Sequence, residues 1–198
     1  MRIALLLALF AALLFPAAHA ADTYHIDSGD SSIRFSVRHM VIHKVHGRFK
    51  EFSGTLLLDE SDLTKSSVEV TIQTASINTE DGPRDKDLRS ASFLEVEKYP
   101  KMSFASRRVE KNAEGYALVG DLSLHGVTKE VRIPFTFNGK VKNTMGKTVA
   151  GFDGRVTINR QEWGINYSKL LDNGGLVAGN EVEIELDVVA VKEELSGQ

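Results

Sequence analysis

Three histidines stand close together in the chain, His39, His43 and His46, at i, i+4 and i+7. On a helix that spacing puts three imidazoles on one face, an arrangement that binds zinc. Against it, no carboxylate lies inside the cluster, and Arg38, Lys44 and Arg48 surround it with charge that repels a cation. The same segment suits an anion better. Arg38, His39, Lys44 and Arg48 make a positive rim for an anionic or hydrogen-bonding group; the rival reading leaves them as solvated surface. Arg84-Asp85 and Arg160-Glu162 have the composition of acid–base pairs, but their plainer reading is a charged helix start and a loop ion pair. There is no G-x-S-x-G, no H-E-x-x-H and no glycine-rich phosphate loop. With no cysteine, the chain also lacks a thiol nucleophile or thiolate ligand. The expectation is no catalytic residue, no metal and no cofactor.

Strands must position these groups. Ile33, Phe35 and Val37 alternate with Arg34, Ser36 and Arg38, the period-two pattern of a strand with one dry face. After the histidine-rich corner, extended chain resumes over residues 48–58, where Phe49, Phe52, Leu56 and Leu58 surround Gly54, read as a bulge or barrel corner. Further alternation marks Val68 to Ile72, Met102 with Phe104, Tyr116 to Leu124 and Val131 to Phe137. Phe152 to Ile158 and Val182 to Val188 continue it. His125-Gly126 reads as a tight corner, Asn138-Gly139 as a hairpin turn, residues 140–147 as a polar connection and residues 160–175 as a long loop. Only residues 84–90 read as helix, ended by Pro100 downstream and placed across one end of the sheet. Roughly eight strands without βαβ spacing predict an all-β fold, an antiparallel eight-stranded barrel with a short capping helix, since closure removes aggregation-prone edges.

The ends and composition narrow the setting. Arg2, the uncharged apolar run of residues 3–15 and Ala18-His19-Ala20 read as a signal peptide over residues 1–20, too short to span a bilayer as a helix. Residues 21–198 then form one domain. An exported, cysteine-free chain fits a periplasm. The net charge of −3 excludes the basic stripe of a nucleic-acid binder. Ten phenylalanines against one tryptophan suit a smooth apolar lining. The bland alternative is that these side chains simply fill the barrel.

Several stretches resemble the YceI-like family, polyisoprenoid-binding proteins with a lipocalin-like barrel. They are Ile33-x-Phe35-x-Val37-Arg38-His39 and Val45-x-Gly47-x-Phe49-x-x-Phe52-x-Gly54, then Arg84-Asp85-x-x-Leu88-x-Ser90, Phe93 and Tyr99-Pro100. Leu118-x-Gly120-x-Leu122-x-Leu124-x-Gly126-Val127-Thr128 and Ile158-Asn159-Arg160-x-Glu162-Trp163-Gly164 follow in order. Asp30-Ser31-Ser32 departs from the family, many of whose members carry a histidine before the first strand. The resemblance implies a tunnel that carries an isoprenoid quinone or polyprenyl phosphate. Its tail would lie against Ile33, Phe35, Val37, Phe49, Phe52, Phe104, Leu122, Phe135, Phe137 and Trp163, with the headgroup at Arg38, His39, Lys44 and Arg48. Transient membrane contact and a homodimer are compatible with that reading. Its rivals are an enzyme acting on an isoprenoid and a stress-related interaction module with a filled barrel.

Overall fold

The computed structural model describes residues 21–194, so the signal-peptide reading falls outside the described residues. In chain order the strands are β1 (Asp22–Ile26), β2 (Ser32–His39), β3 (His43–Phe49), β4 (Phe52–Leu58), β5 (Ser67–Gln73) and β6 (Ile77–Asn78). The helix α1 (Gly82–Arg89) follows, then β7 (Lys101–Asn112), β8 (Gly115–Leu124), β9 (Val127–Lys142), β10 (Thr148–Asn159) and β11 (Ala178–Lys192).

Every pairing is antiparallel, and the short strands combine. β1 and β2 lie end to end along β11, β3 and β4 run on from one another, and β5 continues into β6. Three bent composite strands and the five long ones therefore make eight staves. The ring closes because β11 pairs with β10 on one side and with both β1 and β2 on the other. The expected single strand over residues 48–58 is thus two, bent at Lys50 and Glu51. Backbone bonds from Lys50 N to the Ser76 carbonyl and from Gln73 N to the Glu51 carbonyl hold the bend. Gly54 is not a bulge; it keeps register with Val70.

Two sequence expectations fail for one physical reason. Asn138-Gly139 does not turn a hairpin: β9 runs straight through it. Gly139 takes a positive φ of 97° at a bulge, where Gly151 pairs with Gly139 but Phe152 pairs with Phe137. A left-handed glycine serves a bulge as well as a turn. The actual turn lies in the supposed polar connection, where Asn143 Oδ1 accepts from Met145 N and Lys147 N. His125-Gly126 does turn a hairpin, with φ of 50° and 76° between the paired Leu124 and Val127. The helix begins two residues earlier than expected, capped by Asp81, whose carboxylate accepts from Arg84 N at 3.0 Å.

The interior has two tiers. At one end Tyr24, Leu56, Leu58, Leu63, Ala150 and Ala190 are buried, with Tyr116, Phe137 and Phe152 packed on them. Phe137 stacks on Phe152 at 5.0 Å. At the other end Ile33, Ile72, Met102, Leu124, Ile158, Trp163 and Ile165 form a second cluster around open space. The wall itself has a seam. The β9–β10 ladder stops at Phe135–Gly154, and the next β9 residue, Pro134, has no N–H to continue it. Beyond that point Lys129 reaches across to Glu162 at 3.5 Å.

Close strand approach gives a stability test. At the β7 bulge, a Cβ on Gly120 would sit 2.3 Å from the Ala105 carbonyl oxygen and 2.7 Å from Ser106 Cα. Both atoms are backbone and cannot rotate away. Gly120→Ala should cost about 1–3 kcal/mol. In a thermal melt followed by circular dichroism that is a drop of roughly 2–4 °C per kcal/mol; an unchanged midpoint would contradict this packing.

Candidate functional site

The open tier encloses a cavity of about 320 Å³. Its position follows from parity along the strands. Ile33, Phe35 and Val37 of β2 point inward and pair across with Phe49, Gly47 and Val45 of β3. From the other side β11 contributes Val182, Ile184, Leu186 and Val188. Phe52, Phe104 and Leu122 complete the wall, and Leu88 of α1 with Phe93 and Leu94 lies over the opening.

Seven of the ten residues named for a tail thus line this cavity: Ile33, Phe35, Val37, Phe49, Phe52, Phe104 and Leu122. Three do not. Phe137 is part of the packed far end, and Phe135 borders a separate outer depression with Tyr116 and Arg155. Trp163 is buried in the cluster around the chamber without lining it, and its indole N–H donates to the Leu122 carbonyl at 3.1 Å. The β11 residues were missed although their alternation is as clear as that of β2.

The polar groups at the opening differ from the expected set. His39 is there, joined by Arg84, Asp87 and Arg160; Arg38 and Arg34 also border the cavity, although both have the outward parity of Ser36. Lys44 instead points outward and pairs with Glu183 at 2.6 Å, beside Ser36, in a surface ladder that Arg155 extends. Arg48, which pairs with the outward-facing Arg34, shares that outer face. The three histidines are divided in the same way, because the segment is a β-hairpin and not a helix. His39 and His43 pair at its end with rings 5.0 Å apart, while His46 pairs with Ser36 on the outer face.

His39 takes the inward parity of Val37, and its Nδ1 is buried without a hydrogen-bond partner. Burial, then the neighbouring His43 and Arg84, lowers its pKa below the ordinary histidine value. Burial and these neighbours thus favour its neutral form.

Arg160 is not paired with Glu162, which faces Lys129. Its guanidinium is buried and donates to the carbonyls of Gly179, Ile165, Tyr167 and Ala178 and to Asn180 Oδ1. Among the described residues no carboxylate pairs with it, and burial lowers its pKa. One planar fork thus ties the start of the long loop to the start of β11. Arg84 and Asp85 are likewise structural partners. Arg84 Nε donates to Thr79 Oγ1 at 2.8 Å, and the Thr79 hydroxyl donates to the buried Asp85 at 2.6 Å. The result is a deep apolar chamber with a short polar rim, whose charged members are arginines apart from Asp87. Such a site can solvate a hydrocarbon chain and hold an anionic or hydrogen-bonding head at one end.

A family model described as a YceI-like domain matches residues 24–190. A UPF0312 protein of Serratia proteamaculans (strain 568) is 39% identical over 184 residues, covering 92% of this chain and 93% of its own. Two solved structures share the fold. BcnA of Burkholderia cenocepacia superposes with a TM-score of 0.72 at 23% identity, over 83% of this chain and 98% of that one. A polyisoprenoid binding domain from Saccharophagus degradans, implicated in plant cell wall breakdown, gives 0.63 at 14% identity, over 86% and 98%.

Two measurements check the rim. The folded chain favours neutral His39, so it binds fewer protons there than the unfolded chain does. That contribution is complete above the unfolded value near 6.5 and is lost as pH falls toward the lowered folded value. Wild type should therefore lose more thermal stability than His39→Gln between about pH 8 and pH 5; equal losses would count against the assignment. Arg160→Lys should not rescue the fork, because an ammonium cannot reach five acceptors in one plane. It should cost about 3 kcal/mol in denaturant unfolding, and a cost below about 1 kcal/mol would deny Arg160 its organising role.

Proposed function

Because the chain belongs to the YceI-like family, we propose that it is a periplasmic carrier that holds the tail of an isoprenoid lipid in its barrel. The observation that carries this reading is the cavity, apolar throughout its depth and polar only at its rim. An isoprenoid tail offers no hydrogen-bonding group, so a chamber that presents none leaves nothing unsatisfied. At about 0.8 kcal/mol per buried CH₂, ten carbons would contribute on the order of 8 kcal/mol. That is enough to offset the lower estimates of the freedom lost on capture. The likeness to the Saccharophagus degradans polyisoprenoid binding domain supports the same ligand class.

In this reading the head lies at Arg38, His39 and Arg84, with Arg160 behind them. Quinone and polyprenyl phosphate both present oxygen acceptors to that rim, and the arginines favour the phosphate. The activity is binding and delivery, with no covalent step.

Mass spectrometry of an organic extract of the purified protein tests the proposal. A stoichiometric isoprenoid is expected, and Ile184→Asp should abolish its retention while the circular dichroism spectrum is unchanged. Arg84→Gln should weaken uptake of polyprenyl phosphate about tenfold and of a quinone much less. A clean extract combined with no uptake of either added lipid would overturn the carrier reading.

A further inference from the structure

The tip of the β2–β3 hairpin is built from residues its backbone disfavours. Met40 and Val41 both have positive φ, 49° and 67°. Tight hairpins use such angles with Asn-Gly or Asp-Gly, and a β-branched residue there is strained. The tip is also exposed: Ile42 is 82% accessible, Val41 49% and Met40 43%. Strain and exposed apolar surface together cost stability, and nothing inside the barrel gains from them.

A second exposed apolar residue stands beside this tip. Met40 N donates to the Val177 carbonyl at 2.9 Å, and Val177 N donates to the Lys169 carbonyl at 2.9 Å. Between them Leu170 bridges to Leu176 in a small hairpin, and Leu170 is 61% accessible. Val41 rests against Gly175, where any Cβ would meet its Cγ2 at 2.5 Å. The two tips form one patch, and the residues at their roots, His39, Tyr167, Val177 and Ala178, line the cavity opening. Around it stand Arg38, His43 and Lys169, with Asp172 the acid of the second tip. Among the described residues Arg38 and Lys169 form no ion pair.

From this geometry we infer that the paired tips dock on an anionic lipid bilayer. Met40, Val41, Ile42 and Leu170 enter the interfacial region, and Arg38, His43 and Lys169 meet the headgroups. Apolar insertion flanked by cations is the chemistry of a membrane surface. The opening then abuts the lipid, so that a tail passes between bilayer and cavity without crossing water. The opposite end supplies a comparison. Val141 and Met145 are 67% and 75% accessible there, beside lysines, but at the filled end. Their turn is relaxed, with Gly146 at positive φ and Asn143 satisfying the loop amides.

The inference deepens the carrier reading, so the test separates the two. The chain from residue 21, which carries every strand of the barrel, is floated with phosphatidylglycerol/phosphatidylethanolamine vesicles and with phosphatidylcholine vesicles. Wild type should partition to the anionic vesicles, and Ile42→Asp should weaken that about tenfold or more. Met145→Asp should leave it unchanged. Met40→Asn/Val41→Gly should raise the melting temperature, by relieving strain, while lowering partition. Uptake of polyprenyl phosphate from detergent micelles should be equal in all four proteins; its failure in all would sink the carrier reading alone. Docking at this patch is overturned if Ile42→Asp floats like wild type, or if Met145→Asp loses as much. It is also overturned if wild type ignores vesicles and Ile42→Asp instead dissolves a dimer in gel filtration, which would make the patch a contact between two copies.

Discussion

Closure of the ladder on β11 is the constraint on which the rest depends. A cavity lined by side chains forfeits dispersion contacts that a filled core would make. A wall held up only by packing would collapse into the space. Here β11 is bonded along its length to β10 and to β1 and β2 together, so outside the β9–β10 seam the open tier is held by backbone hydrogen bonds that do not require a filled interior. Packing density is concentrated at the other end, where Tyr24, Leu58, Phe137 and Phe152 close the barrel. The division of labour makes emptiness at one end compatible with a stable fold.

The rim follows the same economy. Arg160 is a costly group to bury, and its desolvation is offset by five acceptors instead of by a carboxylate. Those acceptors are carbonyls of the loop and the start of β11 with one side-chain amide, so one side chain joins them and fixes the loop. Among the described residues no acid pairs with it, and its positive charge lies beside the chamber. Arg84 is tethered through Thr79 in a similar way, with the buried Asp85 on the far side of the same hydroxyl. Structural roles and a ligand-facing charge are therefore held by the same residues.

The barrel was legible because alternation reports which face of a strand is dry. Its limits are equally physical. Parity does not report depth, so Phe137 shares the inward face of β9 with Val131, yet one packs the far end and the other lines the cavity. Arg38, Lys44 and Arg48 were grouped with His39 by nearness in sequence, although the parity that turns Val37 inward turns all three outward, and of them Arg38 alone still borders the cavity. The partners of Arg160 are carbonyls, which every residue carries, so no side-chain pattern could announce them. Asn138-Gly139 carried the strongest local turn signal and marks a bulge, while the β2–β3 turn carries no turn signal at all.

That last contrast bears on how the molecule works. The two ends of the barrel are alike in composition, each showing apolar side chains and lysines at a hairpin tip. They differ in what lies behind the tip and in what the tip costs. At the far end a relaxed turn sits over packed aromatics. At the other, a strained turn of Met40 and Val41 stands beside the polar rim of the cavity. In the carrier proposed above, a ligand in a barrel plugged at one end would enter and leave by the other, and the surface around that opening would set from where it is taken and to where it is given. Strain retained at that position, and absent from the other, is what a fold selected for exchange at one end would keep.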